Sequence, residues 1–165
     1  MKPNAIVYTS GTGYTAAYAK LLGEKTGLPV YALAEADKIL PKQTAIIYLG
    51  WLMAGKVKGY AKAKKRYDVL AVCGVGLGAT GSQLDSVRTA NQLASDAVLF
   101  TLQGGMDRDK LRGMNKFMIG MLIKGLSAKK ERSADEESML ALMQKGGSYV
   151  GEQNLSDVLA WYQQQ

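Results

Sequence analysis

The chain has 165 residues, of which 47% are hydrophobic and 21% charged, and a formal net charge of +7. This size and composition predict a single soluble domain, 1–165, with a core of its own. The chain contains one cysteine, Cys73, and no histidine. An intrachain disulfide and histidine-based acid–base catalysis are therefore excluded, and a transition metal would have only oxygen ligands beside Cys73.

Apolar, β-rich runs alternate with helical stretches along most of the chain. In chain order the pattern predicts a strand at 5–9, a helix at 14–26, strands at 29–33 and 44–50, a helix at 56–67, a strand at 68–75, a helix at 82–95, a strand at 97–103 and a long helix at 106–126. Continuous apolar strands that alternate with helices are typical of a parallel sheet covered on both faces. We therefore expect an α/β core at about 4–126 with a five-stranded parallel sheet in the order 2-1-3-4-5.

The rest of the chain predicts a helical extension at about 133–165. Ser133 and Glu136 form a capping-box pattern, which predicts a helix that ends at Gly146. A second short helix is expected to begin with Asn154 as its N-cap. The face of this helix that docks on the domain is predicted to consist of Leu155, Val158, Leu159 and Tyr162.

Charge and hydropathy bear on location and partners. The best apolar run, 117–123, is too short to cross a bilayer, and no signal-peptide pattern follows Met1, so we expect a cytoplasmic protein without a transmembrane segment. The positive charge favours acidic partners and anionic ligands. The densest basic run, 62–66, carries no nucleic-acid signature, so nucleic acid is not an expected partner.

The predicted helix at 106–126 carries an apolar stripe, which we interpret as its core face. The stripe consists of Met114, Phe117, Met118, Met121, Leu122 and Leu126. Lysine and arginine side chains flank it, which leaves a peripheral membrane contact open.

The turn between the first strand and the first helix is rich in glycine and hydroxyl side chains. Its sequence at 9–15 is Thr-Ser-Gly-Thr-Gly-Tyr-Thr. The free N–H groups and the dipole at a helix N-terminus favour an anion, and the hydroxyls add neutral donors. The turn has no lysine of the kind that a P-loop requires. It indicates a phosphate held by neutral donors, or alternatively a glycine-rich turn whose hydroxyls only cap the helix.

This turn resembles the (Ser/Thr)-x-Thr-Gly-x-Thr phosphate loop of flavodoxins, and the segment 101–126 is similar to the flavodoxin-domain branch that includes menaquinone-linked protoporphyrinogen oxidases. The resemblance implies a flavodoxin-like fold and noncovalent binding of FMN. It implies phosphate contacts from Ser10, Thr12, Gly13, Thr15 and the backbone of Tyr14, and it adds Thr9 and Gly11 as further cofactor-binding residues of the turn.

The loop after the third strand, 49–59, contains a tryptophan. Flavodoxins commonly place an aromatic side chain here against the isoalloxazine ring, and Trp51 is at the matching position. The alternative is that Trp51 only covers the end of the sheet. With stacking, the resemblance implies cofactor contacts from Gly50, Trp51, Leu52, Met53 and Ala54.

The loop after the fourth strand contains a G-x-G-x-x-G pattern at 76–81. A Rossmann dinucleotide site is not favoured, because this is not the first strand and no acidic residue ends the next one. The resemblance instead implies that the backbone approaches a flavin at Gly74, Val75, Gly76, Leu77 and Gly78. No aromatic residue lies between Cys73 and Gln83, in contrast to many flavodoxins, so one flavin face would be open, or covered by Leu77 or by a substrate.

The resemblance leaves two redox functions and one non-redox function open. The first is an electron carrier that meets a redox partner protein, expected to be acidic, and the lack of an acid–base constellation favours it. The second is an FMN-dependent oxidoreductase that acts on a quinone or a tetrapyrrole with a small-molecule electron acceptor. The third is a phosphate-binding module without flavin. Cys73 is predicted to be a buried small residue rather than a reactive thiol.

Overall fold

A computed structural model describes all residues, 1–165. Its main sheet has six strands: β1 (Ala5–Thr9), β2 (Val30–Ala32), β3 (Ala45–Met53), β4 (Lys56–Val57), β5 (Asp68–Gly76) and β6 (Val98–Gln103). The order is β2-β1-β3-β5-β6, and these neighbours all pair in parallel. The short β4 pairs antiparallel with the end of β3. The predicted α/β class, with a mostly parallel sheet flanked by helices, is confirmed.

Seven helices and a second, very small sheet complete the fold. The helices are α1 (Tyr14–Thr26), α2 (Leu33–Ile39), α3 (Tyr60–Ala63), α4 (Leu84–Ala90), α5 (Gly113–Ala128), α6 (Ala134–Lys145) and α7 (Ser156–Gln163). Two-residue strands, β7 (Gly105–Met106) and β8 (Gly147–Ser148), pair antiparallel with each other. None of the helices is both long enough and apolar enough to cross a membrane.

The sheet has a separate apolar core on each face, because successive side chains of a strand point to opposite sides. Val7 of β1 and Tyr48 of β3 belong to a core completed by α2, α3 and α4. Ile6 and Leu49 point the other way, into a core completed by α1 and α7. A third, smaller cluster around Met106 joins α5 and α6. The sheet is thus covered on both sides, and only the ends of its strands are available for a ligand.

The prediction of five strands in the order 2-1-3-4-5 is wrong in strand number. The difference comes from the segment 56–67, which was predicted as one helix. Instead the chain turns back after β3 to form β4, and only Tyr60–Ala63 is helical. Gly59 has φ of 81°, in the left-handed region that a regular helix does not use, and it separates the two elements.

Other helix boundaries also differ from the prediction. The long helix expected at 106–126 is instead β7, a 3-10 turn at Arg108–Lys110 and α5, which begins only at Gly113. The helix expected at 82–95 is shorter, and α2 was not predicted. Short elements carry too few residues for periodicity to identify them.

The C-terminal extension folds back onto the sheet. The capping box of Ser133 and Glu136 is present at the start of α6, and Gly146 follows its last residue, both as predicted. Leu155 and Val158 are buried against α1 and the sheet, which confirms the predicted docking face. Asn154 is not the N-cap of α7; its amide donates hydrogen bonds to the Tyr18 hydroxyl (3.0 Å) and the Tyr149 carbonyl (2.7 Å).

Candidate functional site

A cavity of about 410 Å³ lies beyond the carboxyl ends of β1, β3 and β5. Loops at this edge of a parallel sheet are the usual place for a ligand. The cavity wall includes these predicted site residues: Gly11, Thr12, Tyr14, Thr15, Trp51, Leu52, Met53, Ala54, Val75, Gly76 and Leu77. All three predicted loops therefore contribute to one cavity.

The first of these loops leads into α1. No side chain caps the N-terminal N–H groups of this helix. Gly13 is the N-cap of α1 and makes no side-chain capping bond. The Gly13 amide itself donates to the hydroxyl of Ser10 over 3.1 Å, which closes the turn. Thr15, in the first turn of the helix, is only 2% exposed and lines the cavity. Because the first N–H groups of a helix have no intrahelical acceptor, this wall offers donors to an anion.

Trp51 lies across this turn. Its indole nitrogen is 3.5 Å from the position that a Cβ on Gly11 would occupy, so the ring packs directly against the turn. The ammonium of Lys58 lies 5.5 Å from the ring centroid, a cation–π distance. The ring is half-buried and lines the cavity, which places an aromatic surface next to the N-terminus of α1.

A buried hydrogen-bond chain ties the end of β1 to the loop after β4. The Tyr48 hydroxyl donates to the carbonyl of Lys58 over 2.8 Å. Its only proton is then in use, so the Thr9 hydroxyl is the donor in the 2.7 Å bond between Thr9 and Tyr48. Burial raises the pKa of Tyr48 to about 12, although the Thr9 bond lowers it in part. The phenol thus stays neutral, and it fixes the first two loops relative to each other.

The turn between β3 and β4 follows the strand that carries Trp51, and it is held from the other side by Asn91, the C-cap of α4. The Asn91 side chain accepts from the amide of Val57 over 2.9 Å and donates to the carbonyl of Gly55 over 2.8 Å. It also donates to the carbonyl of Val87 within its own helix. Ala54 has φ of 48°, a left-handed conformation that alanine rarely adopts. The two bonds from Asn91 stabilise this turn despite that conformation.

The third loop is tied to the end of β6 and to α6. The buried side chain of Gln103 donates to the Leu77 carbonyl and to the Ser138 hydroxyl, both over 3.1 Å. The Ala79 amide donates to the carboxylate of Asp135 over 2.5 Å. The C-terminal extension therefore positions a wall of the cavity, which the sequence did not predict.

Six predicted site residues do not line the cavity. Thr9 and Ser10 use their hydroxyls within the chain, as described above, and Gly13 is the helix cap. The other three are tightly packed. A Cβ on Gly50 would lie 2.5 Å from the Lys58 carbonyl oxygen, one on Gly74 2.9 Å from the Leu52 side chain, and one on Gly78 2.9 Å from the Ser82 hydroxyl.

The opposite wall of the cavity comes from residues that the sequence analysis did not assign to the site. They lie between β6 and the middle of α5: Gly104, Gly105, Met106, Asp107, Lys110, Leu111, Asn115, Met118, Ile119 and Leu122. Met118 and Leu122 belong to the stripe that the sequence predicts as a core face, and the Gly104-Gly105 pair is the sequence feature that marks a loop at this wall. A Cβ on Gly105 would lie less than 3.0 Å from the ring of Tyr14, so glycine is required for that ring to pack there.

Three other features of the chain bear on the site. Cys73 is fully buried, as predicted, and burial raises its pKa to about 12, so it has no thiolate near neutral pH. Asp107 caps the 3-10 turn by accepting from the Asp109 amide over 3.1 Å and pairs with Lys110 over 3.3 Å. The core interpretation of the stripe on α5 is wrong for Met114, Phe117, Met121 and Leu122, which are exposed.

Comparisons with known proteins identify no family. No family model matches the chain, and a search of curated proteins found no match. Among solved structures, one described as the crystal structure of a hypothetical protein aligns with 97% of this chain and 72% of its own, at 14% identity and a TM-score of 0.38. A likeness at that TM-score carries no argument about function.

Proposed function

We propose that the chain is a flavodoxin-like protein that binds FMN noncovalently in this cavity and takes part in electron transfer. The observation that carries the proposal is the joint wall formed by the N-terminal turn of α1 and by Trp51. The turn supplies hydrogen-bond donors for the phosphate, and Trp51 supplies an aromatic surface for the flavin ring. A cavity of about 410 Å³ is within the range of small-molecule sites.

The residues of the turn fit a terminal phosphate. Thr12 and Thr15 line the cavity, and Tyr14 and Thr15 are the first residues of α1, whose first N–H groups have no intrahelical acceptor. The helix dipole favours a dianionic phosphate at this end. Thr15 is buried, so its bond to a charged oxygen would be little weakened by water.

The remaining walls fit an apolar ring. Trp51, Leu77 and Met118 line the cavity from three different elements. Aromatic and aliphatic side chains exclude water, and the backbone at 75–77 offers polar groups for the edge of a ring. FMN, when bound, would supply the redox chemistry, while the chain positions it and controls its access to solvent.

The charge of the chain supports an acidic redox partner. Lys56 and Lys58 flank the Trp51 loop, and Arg108 lies in the 3-10 turn between Asp107 and Lys110, which line the opposite wall of the cavity. Association through these side chains would be steered by charge and would slow as salt rises, because surface charges are screened beyond about 8 Å at physiological ionic strength. A Lys56→Glu, Lys58→Glu variant should mimic the effect of salt.

The deciding experiment is titration of flavin-free protein with FMN and, in parallel, with riboflavin, followed by flavin fluorescence. FMN should bind at least tenfold more tightly, because riboflavin lacks the phosphate that the turn would hold. Thr12→Ala and Thr15→Ala should each weaken FMN by about 1–3 kcal/mol and leave riboflavin unchanged. Ser82→Ala, in a loop hydroxyl that bonds within the chain to the Ala79 carbonyl, is the matched control. Equal affinity for the two flavins, or no binding, would refute the proposal.

A second function is favoured by the apolar side of α5. Met118, Ile119 and Leu122 line the cavity, and an apolar substrate could rest between them and a flavin. This arrangement favours the alternative of an FMN-dependent oxidoreductase that acts on a quinone or a tetrapyrrole. Catalytic oxidation of a reduced tetrapyrrole by FMN-loaded protein, with a soluble quinone as the electron acceptor and no partner protein, would select the enzyme over the carrier. A rate near that of free FMN would select the carrier.

A further inference from the structure

The outer face of α5 is an exposed apolar surface. Eight large apolar side chains of the whole chain are exposed, and four of them are on this helix. The exposed fractions are 76% for Met114, 65% for Phe117, 60% for Met121 and 48% for Leu122. Met114, Phe117 and Met121 are spaced at i, i+3 and i+7, so they form one stripe. We call Met114, Phe117 and Met121 the α5 outer face; Leu122, next to them on the helix, also lines the cavity.

The inner side of the same helix is already in use. Ile119, Ile123 and Leu126 pack against Leu142 and Met143 of α6. No residue of α5 is fully buried, so the helix lies on the protein with one side covered and the other open. An apolar stripe of this size is uncommon on a monomer surface without a partner.

The charged side chains of the segment that contains α5 are all positive. The segment 110–130 contains no aspartate or glutamate and carries six cations: Lys110, Arg112, Lys116, Lys124, Lys129 and Lys130. All six are exposed. Only Lys110 and Lys129 have a carboxylate partner, Asp107 and Glu136 respectively. If the α5 segments of two copies of the chain faced each other, like charges would come together. An anionic surface, in contrast, complements these cations.

We propose that the α5 outer face docks on the surface of a membrane that contains anionic lipids. A helix with aromatic and aliphatic side chains on one side and lysines beside them lies in the interface of a bilayer, with the apolar side chains inserted and the cations at the headgroups. At 16 residues, α5 is about 24 Å long and lies flat rather than spanning. This inference does not depend on flavin binding.

The test uses flavin-free full-length protein and two kinds of vesicle, phosphatidylcholine alone and phosphatidylcholine mixed with phosphatidylserine, in a flotation assay. The protein should float with the anionic vesicles at low salt and much less with the neutral ones. Phe117→Ser with Met121→Ser should weaken binding more than tenfold, through loss of inserted apolar area. Lys116→Gln with Lys124→Gln should weaken it by about fivefold per lysine.

Matched controls exist on α2 and the loop after it. Ile39 is 59% exposed, so Ile39→Ser removes one exposed apolar side chain elsewhere, compared with the two that are removed from α5. Lys38→Gln with Lys42→Gln removes the same charge. Both control variants should bind vesicles nearly as well as the wild type. Circular dichroism melting checks that each variant is folded.

A labelling experiment keeps the proposal testable if the serine variant unfolds. Met114→Cys accepts an environment-sensitive dye, while Cys73 is buried and does not react. The dye should shift to the blue with anionic vesicles, and a dye on Lys42→Cys should not. Absence of vesicle binding by the wild type would overturn the proposal. So would a dimer that Phe117→Ser with Met121→Ser dissociates, without lipid binding, since the face would then hold a second copy.

Discussion

Gly59 packs against the hydrogen-bond chain that joins the first two loops, so a substitution at this position tests that chain. A Cβ at this position would lie less than 3.0 Å from both the Tyr48 hydroxyl and the Thr9 hydroxyl. Gly59→Ala should therefore cost the strain of a left-handed alanine, about 1–2 kcal/mol, and up to two displaced hydrogen bonds of about 0.5–1.5 kcal/mol each. We expect a loss of about 2–5 kcal/mol in the free energy of unfolding.

Gly27→Ala separates the two contributions. Gly27 has φ of 73°, close to the 81° of Gly59, but a Cβ there would meet no atom within 4 Å. It should cost only the conformational part, about 1–2 kcal/mol. Urea unfolding monitored by circular dichroism gives both values, provided that the m-value is unchanged.

A double-mutant cycle then tests the contact itself. Tyr48→Phe removes one of the two crowding oxygens, so Gly59→Ala should cost less in that background, by at least about 0.5 kcal/mol. If Gly59→Ala and Gly27→Ala lowered the free energy of unfolding equally, and if Gly59→Ala showed no coupling to Tyr48→Phe, the close packing of Gly59 against Tyr48 and Thr9 would be refuted.

Three further predictions concern the extension and the buried thiol. Ser133→Ala should lower the free energy of unfolding by about 1 kcal/mol by removing the capping box, whereas Ser127→Ala, at an exposed position, should not. Asp135→Ala should speed hydrogen exchange at the Ala79 amide by about tenfold, and Asp157→Ala should leave it unchanged; equal rates would show that Asp135 does not hold the loop. Burial raises the pKa of the Cys73 thiol from 9.0 to about 12. The contribution of the thiol to the free energy of unfolding is therefore complete below pH 9 and is lost at about 1.4 kcal/mol per pH unit as the pH rises toward 12. Cys73→Ala should remove this part of the pH dependence of urea unfolding.

The parts of the fold that could be predicted are those with long or strongly marked patterns. The strands β1, β3, β5 and β6 could be identified from their continuous apolar runs, because a strand buried on both faces needs apolar residues throughout. Capping residues marked α6 at both ends. The three loops at one edge of the sheet followed from the alternation of strands and helices, and they do meet at one cavity.

Local glycine signals were harder to interpret, since a glycine allows several structures. Gly59 falls inside the helix predicted at 56–67, yet it ends a hairpin and leaves room for the Tyr48 hydroxyl. Gly50, Gly74 and Gly78 were assigned to the ligand, yet each is packed against the chain itself. A sequence shows that a side chain is missing there and does not show which neighbour occupies the space.

The position of α5 could not be predicted, because its apolar residues do not fall on one side. Met114, Phe117 and Met121 point away from α6, while Ile119 and Ile123 point toward it. The sequence of a helix that is apolar on both sides predicts burial in a core, because burial is the commonest way to remove both apolar sides from water. Here only α6 and the loop after β6 are available as a covering layer, and they cover one side of the helix. Whether the other side is core or surface depends on how many elements the rest of the chain can place over it, and that number is fixed by the tertiary structure, not by the helical pattern.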